Sequence, residues 1–483
     1  MAAVAVSTDH PDDHPGPADR AAWWSLAVVS LGLFLAVLST TVVSVAQPAL
    51  GRDMHVDASG REWVVDAYVV VYASLLVAGG SLGDRYGRKG LFLLGVAIFG
   101  GGSLLAGLAP TLPLLLVGRV VQGIGPALLA PGSLTILRAL FGRPRQRALA
   151  IGLWSTSSGV ALAVGPPLGG ILVTEWGWRA VLLLNVPLAF AVLAVGAVAL
   201  PRLPRGGVRR LDWPAVLLST AAIALLAVGT IESQAPGVPA GLPAAAFGVG
   251  AAALVGFVLV ERRTADPLID VRLFARVEFG VANLAALVVF FAFVGAIVYL
   301  SAFFQQVQGH SATDAGLDVA ALGVAYAVAA ALSGRLVGRI GERWPLRLGL
   351  LIAGASMLAL TRLAPASQPG AIWWNLALLG FGIGLCGTPT STIAMSVVDA
   401  DHAGMASGTV NAVRQVGQVF GVAILGALVY GSLPERGGAG TRLDPAGQRL
   451  FVAGLHHALW LSGLSLLATA ALSVALRTGR RRR

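Results

Sequence analysis

Long apolar stretches recur along almost the whole chain and are separated by short polar connections. Each stretch has about 20 residues or more, the length that an α-helix needs to cross the hydrocarbon core of a membrane. The stretches are too long and too uniformly apolar to be the alternating strands of a membrane barrel. The pattern therefore predicts an all-α polytopic membrane protein with fourteen segments, at residues 23–45, 61–82, 90–109, 112–137, 148–173, 178–200, 214–232, 243–260, 279–302, 315–337, 346–364, 371–396, 403–430 and 455–476.

The composition leaves little room for another class of protein. Of the 483 residues, 56% are hydrophobic and 12% are charged, and the mean hydropathy is +0.79. These values lie far outside the range of soluble domains. Cys386 is the only cysteine, which excludes an intramolecular disulfide and a thiolate cluster for a metal.

The basic residues are distributed unevenly between the two sides of the membrane. With an even number of segments both termini lie on one side, and most of the 34 Lys and Arg residues fall on that side. Short basic connections mark the cytoplasmic face, so we expect both termini in the cytoplasm. Because the net charge of +11 is spread over these connections, it indicates contact with anionic lipid rather than a nucleic-acid partner.

A Gly-rich, basic element, G-S-L-G-D-R-Y-G-R-K-G at 80–90, lies between segments 2 and 3. A weaker copy, G-R-L-V-G-R-I-G-E-R at 334–343, lies between segments 10 and 11 and pairs Gly80 with Gly334 and Gly87 with Gly341. Two related halves are typical of a membrane transporter. We therefore expect a disordered cytoplasmic tail at 1–20, a six-helix half at 21–200, a linker with inserted segments 7 and 8 at 201–278, a second six-helix half at 279–476 and a basic cytoplasmic tail at 477–483.

Six stretches, in order, resemble the motifs of one family. After the element at 80–90 come R-V-V-Q-G-I-G at 119–125, G-V-A-L-A-V-G-P-P-L-G-G at 159–170, W-R-A-V-L-L-L-N-V-P at 178–187, D-P-L-I-D-V-R-L-F at 266–274 and S-G-T-V-N-A-V-R-Q-V-G at 407–417. From about residue 23 to 476 the chain resembles the major facilitator superfamily, in its fourteen-helix drug:proton antiporter branch. The resemblance implies the major facilitator fold. It also implies export of amphipathic drugs, antibiotics or secondary metabolites across the bacterial cytoplasmic membrane, by proton antiport with alternating access.

The chain departs from that branch in its first segment. The branch usually carries an Asp there and, five residues later, an Asn, whereas this chain has Ser39 and Ser44 at those places. The acid that the family associates most closely with proton response is therefore missing, and the coupling group has to be found elsewhere.

Two ionisable residues inside predicted segments are the candidates for proton coupling. Asp66 lies about five residues from the outer end of segment 2, about 7 Å deep at 1.5 Å per residue. Burial in a membrane disfavours the charged carboxylate, so the protonated form becomes accessible; the alternative is an interfacial Asp hydrated from outside. Arg119 in segment 4 must face the bundle interior and meet an acid, a carbonyl, water or the substrate there. Without an acid in segment 1, Asp66 is the obvious candidate within the chain; a purely structural clamp is the alternative role for Arg119.

The resemblance assigns the conformational switch to two elements. In the superfamily the acid at the place of Asp84 faces the N-terminus of a helix in the other half, here near Ala403, and an anion there gains about 0.3–1 kcal/mol. For the element at 80–90 the alternative is a solvated turn. For the glycines and prolines of segment 5 the alternative is tight helix packing alone. The switch residues are Gly80, Gly83, Asp84, Arg85, Gly87, Arg88 and Lys89, with Gly165, Pro166, Gly169 and Gly170 in segment 5.

Polar residues in segments 4 and 13 are the candidates for the substrate path. Gln122 follows Arg119 by one turn. A second group recurs at i, i+3, i+4 and i+7 and forms one face of segment 13. These side chains could line a central path or link neighbouring helices; they are Asn411, Arg414, Gln415 and Gln418.

The leading interpretation is a proton-driven exporter, and a proton-independent facilitator or importer of a small organic solute is the alternative that the missing acid favours. A membrane-embedded receptor or enzyme is disfavoured because no segment carries a His, Asp and Glu cluster for metal or acid–base chemistry. The ATP-binding pattern G-x-x-x-x-G-K-[ST] is absent. We expect no cofactor, and as partners a small amphipathic substrate, protons and membrane lipid, with the protein acting as a monomer.

Overall fold

The computed structural model describes residues 17–141, 144–203, 212–233, 238–264, 267, 269–398, 403–431, 433 and 442–475. Most of these residues are α-helical. The helices are α1 (Pro17–Met54), α2 (Ala58–Tyr86), α3 (Arg88–Gly107), α4 (Leu112–Leu140), α5 (Pro144–Trp176), α6 (Trp178–Leu183), α7 (Asn185–Ala199), α8 (Trp213–Glu232), α9 (Gly241–Arg263), α10 (Val277–Ala302), α11 (Ala312–Ile340), α12 (Arg343–Leu360), α13 (Pro369–Ser396), α14 (Ala403–Tyr430) and α15 (Pro445–Leu472).

Each predicted segment falls on a helix, and the predicted all-α class is confirmed. Segment 6 is divided at Leu184 into α6 and α7. In the described part of the chain, twelve candidate spans are long and apolar enough to cross a membrane; α2 and α12 are not among them. The number of fourteen crossings therefore stays a prediction.

Two helix ends differ from the prediction. Residues 17–20 belong to α1, so the expected disordered tail is too long by those residues, and 1–16 lie outside the described part. α15 begins at Pro445, where a polar connection was expected to reach 454, because Asp444 accepts the backbone N–H of Gly447 and caps the helix. The tail at 477–483 and residues 204–211 of the linker also lie outside the described residues.

Equivalent helices pack in the same way in the two halves. α5 packs on α1, where a methyl group at Gly165 would collide with Thr41, and α14 packs on α10, where one at Gly417 would collide with the carbonyl of Leu287. Small residues at such crossings let two backbones approach closely, which is how helices associate inside a membrane. The same relation joins α2 to α4 and α11 to α13.

The turns that follow α2 and α11 are also equivalent. Gly87 separates α2 from α3 with φ 101°, and Gly341 separates α11 from α12 with φ 79°. Residues with a side chain rarely adopt such positive φ values, so both tight turns require glycine. The register of the two copies in the sequence places these two glycines opposite each other.

The halves meet along two seams, which we name by their helices: the α2–α14 seam and the α5–α11 seam. α8 packs against both α2 and α14, and α9 packs on α8. Glu232 at the end of α8 accepts hydrogen bonds from Ser59 and from the indole of Trp63, at 3.2 and 2.9 Å. The inserted helix pair thus covers the α2–α14 seam from one side.

Candidate transport path

Arg119 lies at the centre of a polar network inside the first half. Its side chain is fully buried. Nε donates to the carbonyl of Val64 at 2.7 Å, and Nη1 donates to the hydroxyl of Ser39 at 3.1 Å and to the amide oxygen of Gln122. The guanidinium also lies over the ring of Tyr68, 4.5 Å from its centroid. Ser39, at the place of the family's acid, therefore contacts Arg119 as a neutral acceptor.

The expected pairing of Asp66 with Arg119 is wrong. Both Asp66 carboxyl oxygens are buried and make no hydrogen bond, and among the described residues Arg119 forms no ion pair. The reason is helix rotation: Val64 and Tyr68 lie one turn apart on the face of α2 that meets Arg119. Asp66, two residues from each, points about 200° away on the helix.

The opposite face of α2 meets the second half. Glu62, one turn before Asp66 on the same face, is buried against α14, where a methyl group added at Gly426 would collide with both the Glu62 carboxyl and the Tyr299 hydroxyl. Beside it the Arg61 guanidinium lies 5.3 Å from the ring centroid of Tyr430. Asp66 therefore lies on the face of α2 that enters the α2–α14 seam.

Arg61 and Glu62 were not identified from the sequence because they stand at the first two positions of the predicted segment. Both are almost fully buried, with 3% and 6% of their surface exposed. A signal was present in the sequence, since Glu62 and Asp66 are four residues apart and so share one helix face.

Arg414 is the corresponding cation of the second half, and its side chain is half-buried. Its Nη2 donates to the carbonyl of Gly387 at 2.7 Å and to the hydroxyls of Thr390 and Ser391 at 2.9 and 3.0 Å. Nη1 donates to Asn411 at 3.2 Å, and Nε has no partner. We call these five residues the Arg414 cluster; its acceptors are all neutral.

The other two residues of the predicted polar face pair with each other, since the Gln418 amide donates to the amide oxygen of Gln415 at 2.9 Å. Phe290 of α10 packs beside the cluster, with the Arg414 guanidinium 5.5 Å from its ring centroid. The four polar side chains thus form two local pairs along α14. A methyl group at Gly408, on the same face, would meet no atom within 4 Å, so this face borders open space.

The glycines and prolines of α5 divide between two neighbours. Methyl groups at Gly165 and Gly169 would press on Thr41 and Val42 of α1, inside the same half. Gly170 and Pro166 instead contact α11 of the other half: a methyl at Gly170 would collide with Ala312, and one at Gly316 would collide with the Pro166 carbonyl. Only the second pair contributes to the α5–α11 seam. α5 itself is continuous through these residues.

The element at 80–90 contributes local contacts in this structure. Lys89 donates to the carbonyls of Ala197 and Leu200 at 2.7 and 2.6 Å and thereby caps the end of α7. A methyl at Gly80 would touch Pro131, and one at Gly83 would touch Leu91 and Arg88. Arg85 is exposed beside the ring of Tyr86. The side chain of Asp84 lies outside the described residues.

The model of the Major Facilitator Superfamily matches residues 29–422. The chain belongs to the major facilitator superfamily. The same fold occurs in a bacterial homolog of the human lysosomal transporter Spinster, in an inward-facing conformation, with a TM-score of 0.67 at 18% identity over 93% of this chain and 95% of that one. Fold and family together make this superfamily member a multi-pass membrane transporter.

Several relatives of this superfamily member have descriptive names. The multidrug resistance protein Stp of Mycobacterium tuberculosis is 34% identical over 84% of this chain and 75% of its own length. The tetracenomycin C resistance and export protein of Streptomyces glaucescens is 32% identical over 88% and 80% of the two chains. The methylenomycin A resistance protein of Bacillus subtilis is 33% identical over 86% and 89%.

Proposed function

We propose that this protein exports amphipathic drugs, antibiotics or secondary metabolites from the cytoplasm of a bacterium in exchange for protons. The printed names of the relatives, which describe resistance, export and multidrug resistance, support the export direction. The observation that carries the proton coupling is Asp66: a fully buried acid without a hydrogen bond, on the face of α2 that enters the α2–α14 seam.

The proposed coupling follows from the cost of burying a charge. In the closed seam a charged Asp66 would lack both water and a partner, so the closed state favours the protonated acid. When the seam opens outward, water reaches the carboxyl, and the acid exchanges its proton with the outside. Seam closure then keeps the proton on Asp66, and its release to the cytoplasm after the halves rock balances the export of one compound.

The orientation is part of the same proposal. Both termini and the connection at 201–212 lie in the cytoplasm, as the distribution of basic residues indicates, and the halves are the predicted segments 1–6 and 9–14. Fluorescent reporters fused after Arg210 and at the C-terminus should report from the cytoplasm. A reporter found on the outer side of the membrane at either position would contradict the orientation.

We also propose that Asp84 stabilises the state closed to the cytoplasm through the N-terminus of α14. The motivation is its place in the element at 80–90. In a Cys386→Ser background, Asp84→Asn should increase the labelling of a cysteine introduced at the cytoplasmic mouth. Unchanged labelling with normal expression would exclude this role.

Two measurements test the export function itself. A drug-hypersensitive bacterium carrying the gene should tolerate higher concentrations of some compounds in a panel of antibiotics, compared with the empty vector. In everted membrane vesicles with an acidic lumen, adding one of those compounds should dissipate the pH gradient, because each molecule transported into the lumen is exchanged for protons that leave it. A protein that changes susceptibility to no compound contradicts the export function.

Ser39 favours a second candidate, a proton-independent facilitator. At the place of the family's acid, this serine provides Arg119 with a neutral acceptor and no titratable group. A facilitator would equilibrate the compound across the vesicle membrane equally with and without a pH gradient, whereas the antiporter accumulates it only with the gradient.

A further inference from the structure

We propose that the exported compounds are neutral or acidic, present an oxygen acceptor to Arg414, and are distinguished from permanent cations by its charge. This inference rests on the proposed export function and specifies its substrate class. It follows from three observations: the charges along the path, the open space beside Arg414, and the unused Nε–H of Arg414.

Within the described part of the chain, both arginines of the path lack a negative counter-charge. Arg119 donates to a carbonyl, a hydroxyl and an amide, and Arg414 to a carbonyl, two hydroxyls and an amide. Among the described residues neither arginine forms an ion pair with a carboxylate. Each of these sites therefore holds a full positive charge that is solvated by dipoles alone.

The acid of the path lies elsewhere. Asp66 is on the face of α2 that meets α14 near Tyr299, whose hydroxyl donates to the carbonyl of Val422. Val422 follows Arg414 by eight residues on α14, which is about 12 Å along the helix axis. Asp66 thus neutralises neither guanidinium, and it would not pair with a cation beside Arg414.

Space for a ligand lies next to the Arg414 cluster. The carbonyl of Gly387 accepts from Arg414 Nη2 at 2.7 Å, and a methyl group added at Gly387 would meet no atom within 4 Å. Gly408, on the face of α14 that carries Asn411, borders open space as well. A compound in this space therefore lies next to the positive charge of the Arg414 guanidinium.

The chemistry of Arg414 determines which compound is favoured there. A guanidinium has only donors, its buried Nε–H is unused and its other acceptors are neutral, so a carboxylate, phenolate or carbonyl oxygen that displaces one of those acceptors gains a charge-assisted hydrogen bond. An ammonium group at the same place is repelled, and in a protein interior this repulsion is much stronger than in water. Phe290 adds an aromatic surface for the apolar part of the compound.

The test uses three dansylamides with the same five-carbon chain, ending in a carboxylate, a carboxamide or an ammonium group. Their dissociation constants are measured by dansyl fluorescence on the purified full-length protein. The wild type should bind the carboxylate and the carboxamide at least about tenfold more tightly than the ammonium probe, a difference of about 1.4 kcal/mol. Arg414→Gln should reduce that preference to about twofold, partly by binding the ammonium probe more tightly.

Two further variants separate charge from structure. Arg414→Lys keeps the charge and should keep the exclusion of the ammonium probe, while it weakens carboxylate binding because the planar donor fork is lost. Arg263→Gln removes an exposed positive charge at the end of α9 and should leave all three constants unchanged.

Three results would overturn the inference. They are ammonium binding to the wild type as tight as carboxamide binding, an equal change of all three constants in Arg414→Gln, and a failure of the carboxylate and carboxamide probes to bind. The export function is tested separately, by the susceptibility panel. Export of quaternary ammonium drugs keeps that function and contradicts only the substrate class, whereas export of no compound contradicts the function.

Discussion

The two seams between the halves occupy equivalent places in the fold and have opposite chemistry. In the α5–α11 seam, Gly316 and Gly323 of α11 lie directly on the backbone of α5 at Pro166 and Ala163. In the α2–α14 seam, α2 presents Glu62 and Asp66 to α14. The register that pairs Gly80 with Gly334 pairs Glu62 with Gly316, so one half carries an acid where the other carries glycine.

This difference separates two tasks of an alternating-access transporter. A seam of backbone on small residues can slide or separate without exposing charge, so its energy depends on packing alone. A seam that buries acids changes their hydration whenever it opens, so its energy depends on protons. Under the proposed coupling, packing therefore belongs to α5–α11 and proton response to α2–α14.

The largest expected effect on stability is in the α5–α11 seam. Gly316→Ala should destabilise the protein strongly and abolish transport, because the added methyl collides with the Pro166 carbonyl and two helix backbones must separate. Overpacking of this kind typically costs about 1–3 kcal/mol. Thermal unfolding followed by size-exclusion chromatography measures it.

Gly101→Ala is the matched control, since a methyl at this exposed helical glycine meets no atom within 4 Å. It should be neutral or slightly stabilising, because alanine favours a helix over glycine by about 0.5–1 kcal/mol. Equal behaviour of the Gly316 and Gly101 variants would show that the α5–α11 seam is not closely packed.

A smaller effect is expected from the same substitution in the α2–α14 seam. Gly426→Ala meets the ends of two side chains, Glu62 and Tyr299, which can rotate away, rather than a backbone. Its unfolding temperature should lie between those of the Gly316 and Gly101 variants. Transport should fall more than stability, since the displaced groups are those next to Asp66. A loss of stability larger than that of Gly316→Ala would reverse the comparison.

The smallest effect is expected away from both seams. Ser39→Ala removes one acceptor from Arg119 and one from Gln122, each at 3.1 Å, but Arg119 Nη1 keeps Gln122 and the Gln122 amide keeps Ser103, so the cost should be about 0.5–1.5 kcal/mol. Uphill transport should persist, because Ser39 does not titrate. Ser219→Ala on α8 removes a hydroxyl that bonds only to its own helix and should be nearly neutral. Loss of coupling in Ser39→Ala with normal folding would place the proton path at Ser39.

The helices could be predicted from the sequence, because hydrophobic length is a local signal. The repeated Gly-rich turn is local as well, and both copies fall on turns between helices with a glycine at positive φ. The sequence also identified Asp66 and Arg119 as ionisable groups inside helices. Their separation could not be predicted, because it depends on the rotation of α2 about its axis, which places residues 64 and 68 against α4 and residues 62 and 66 against α14. The break at Leu184 did have a signal in the sequence, which was not recognised: Pro187 has no N–H to donate to the carbonyl of Leu183, so the helix is interrupted one turn before the proline.

Tertiary packing also decided which acceptors surround Arg414. The polar face of α14 could be predicted from its spacing. The acceptors of Arg414 could not, because the carbonyl of Gly387 and the hydroxyl of Thr390 belong to a different helix, α13. Only the approach of α13 shows that Arg414 has neutral partners.

The most direct test of the account is the behaviour of Asp66→Asn in reconstituted vesicles. Two assays use the same preparation: uphill accumulation of an exported compound driven by an imposed pH gradient, and exchange of labelled for unlabelled compound without a gradient. Asp57→Asn is the control, because Asp57 caps α2 from outside the seam and asparagine caps a helix as well as aspartate.

We expect Asp66→Asn to lose gradient-driven accumulation and to retain exchange, because the closed seam tolerates the neutral amide but no proton is carried. Asp57→Asn should perform both reactions like the wild type. Full uphill accumulation by Asp66→Asn would contradict the assignment of proton coupling to the α2–α14 seam.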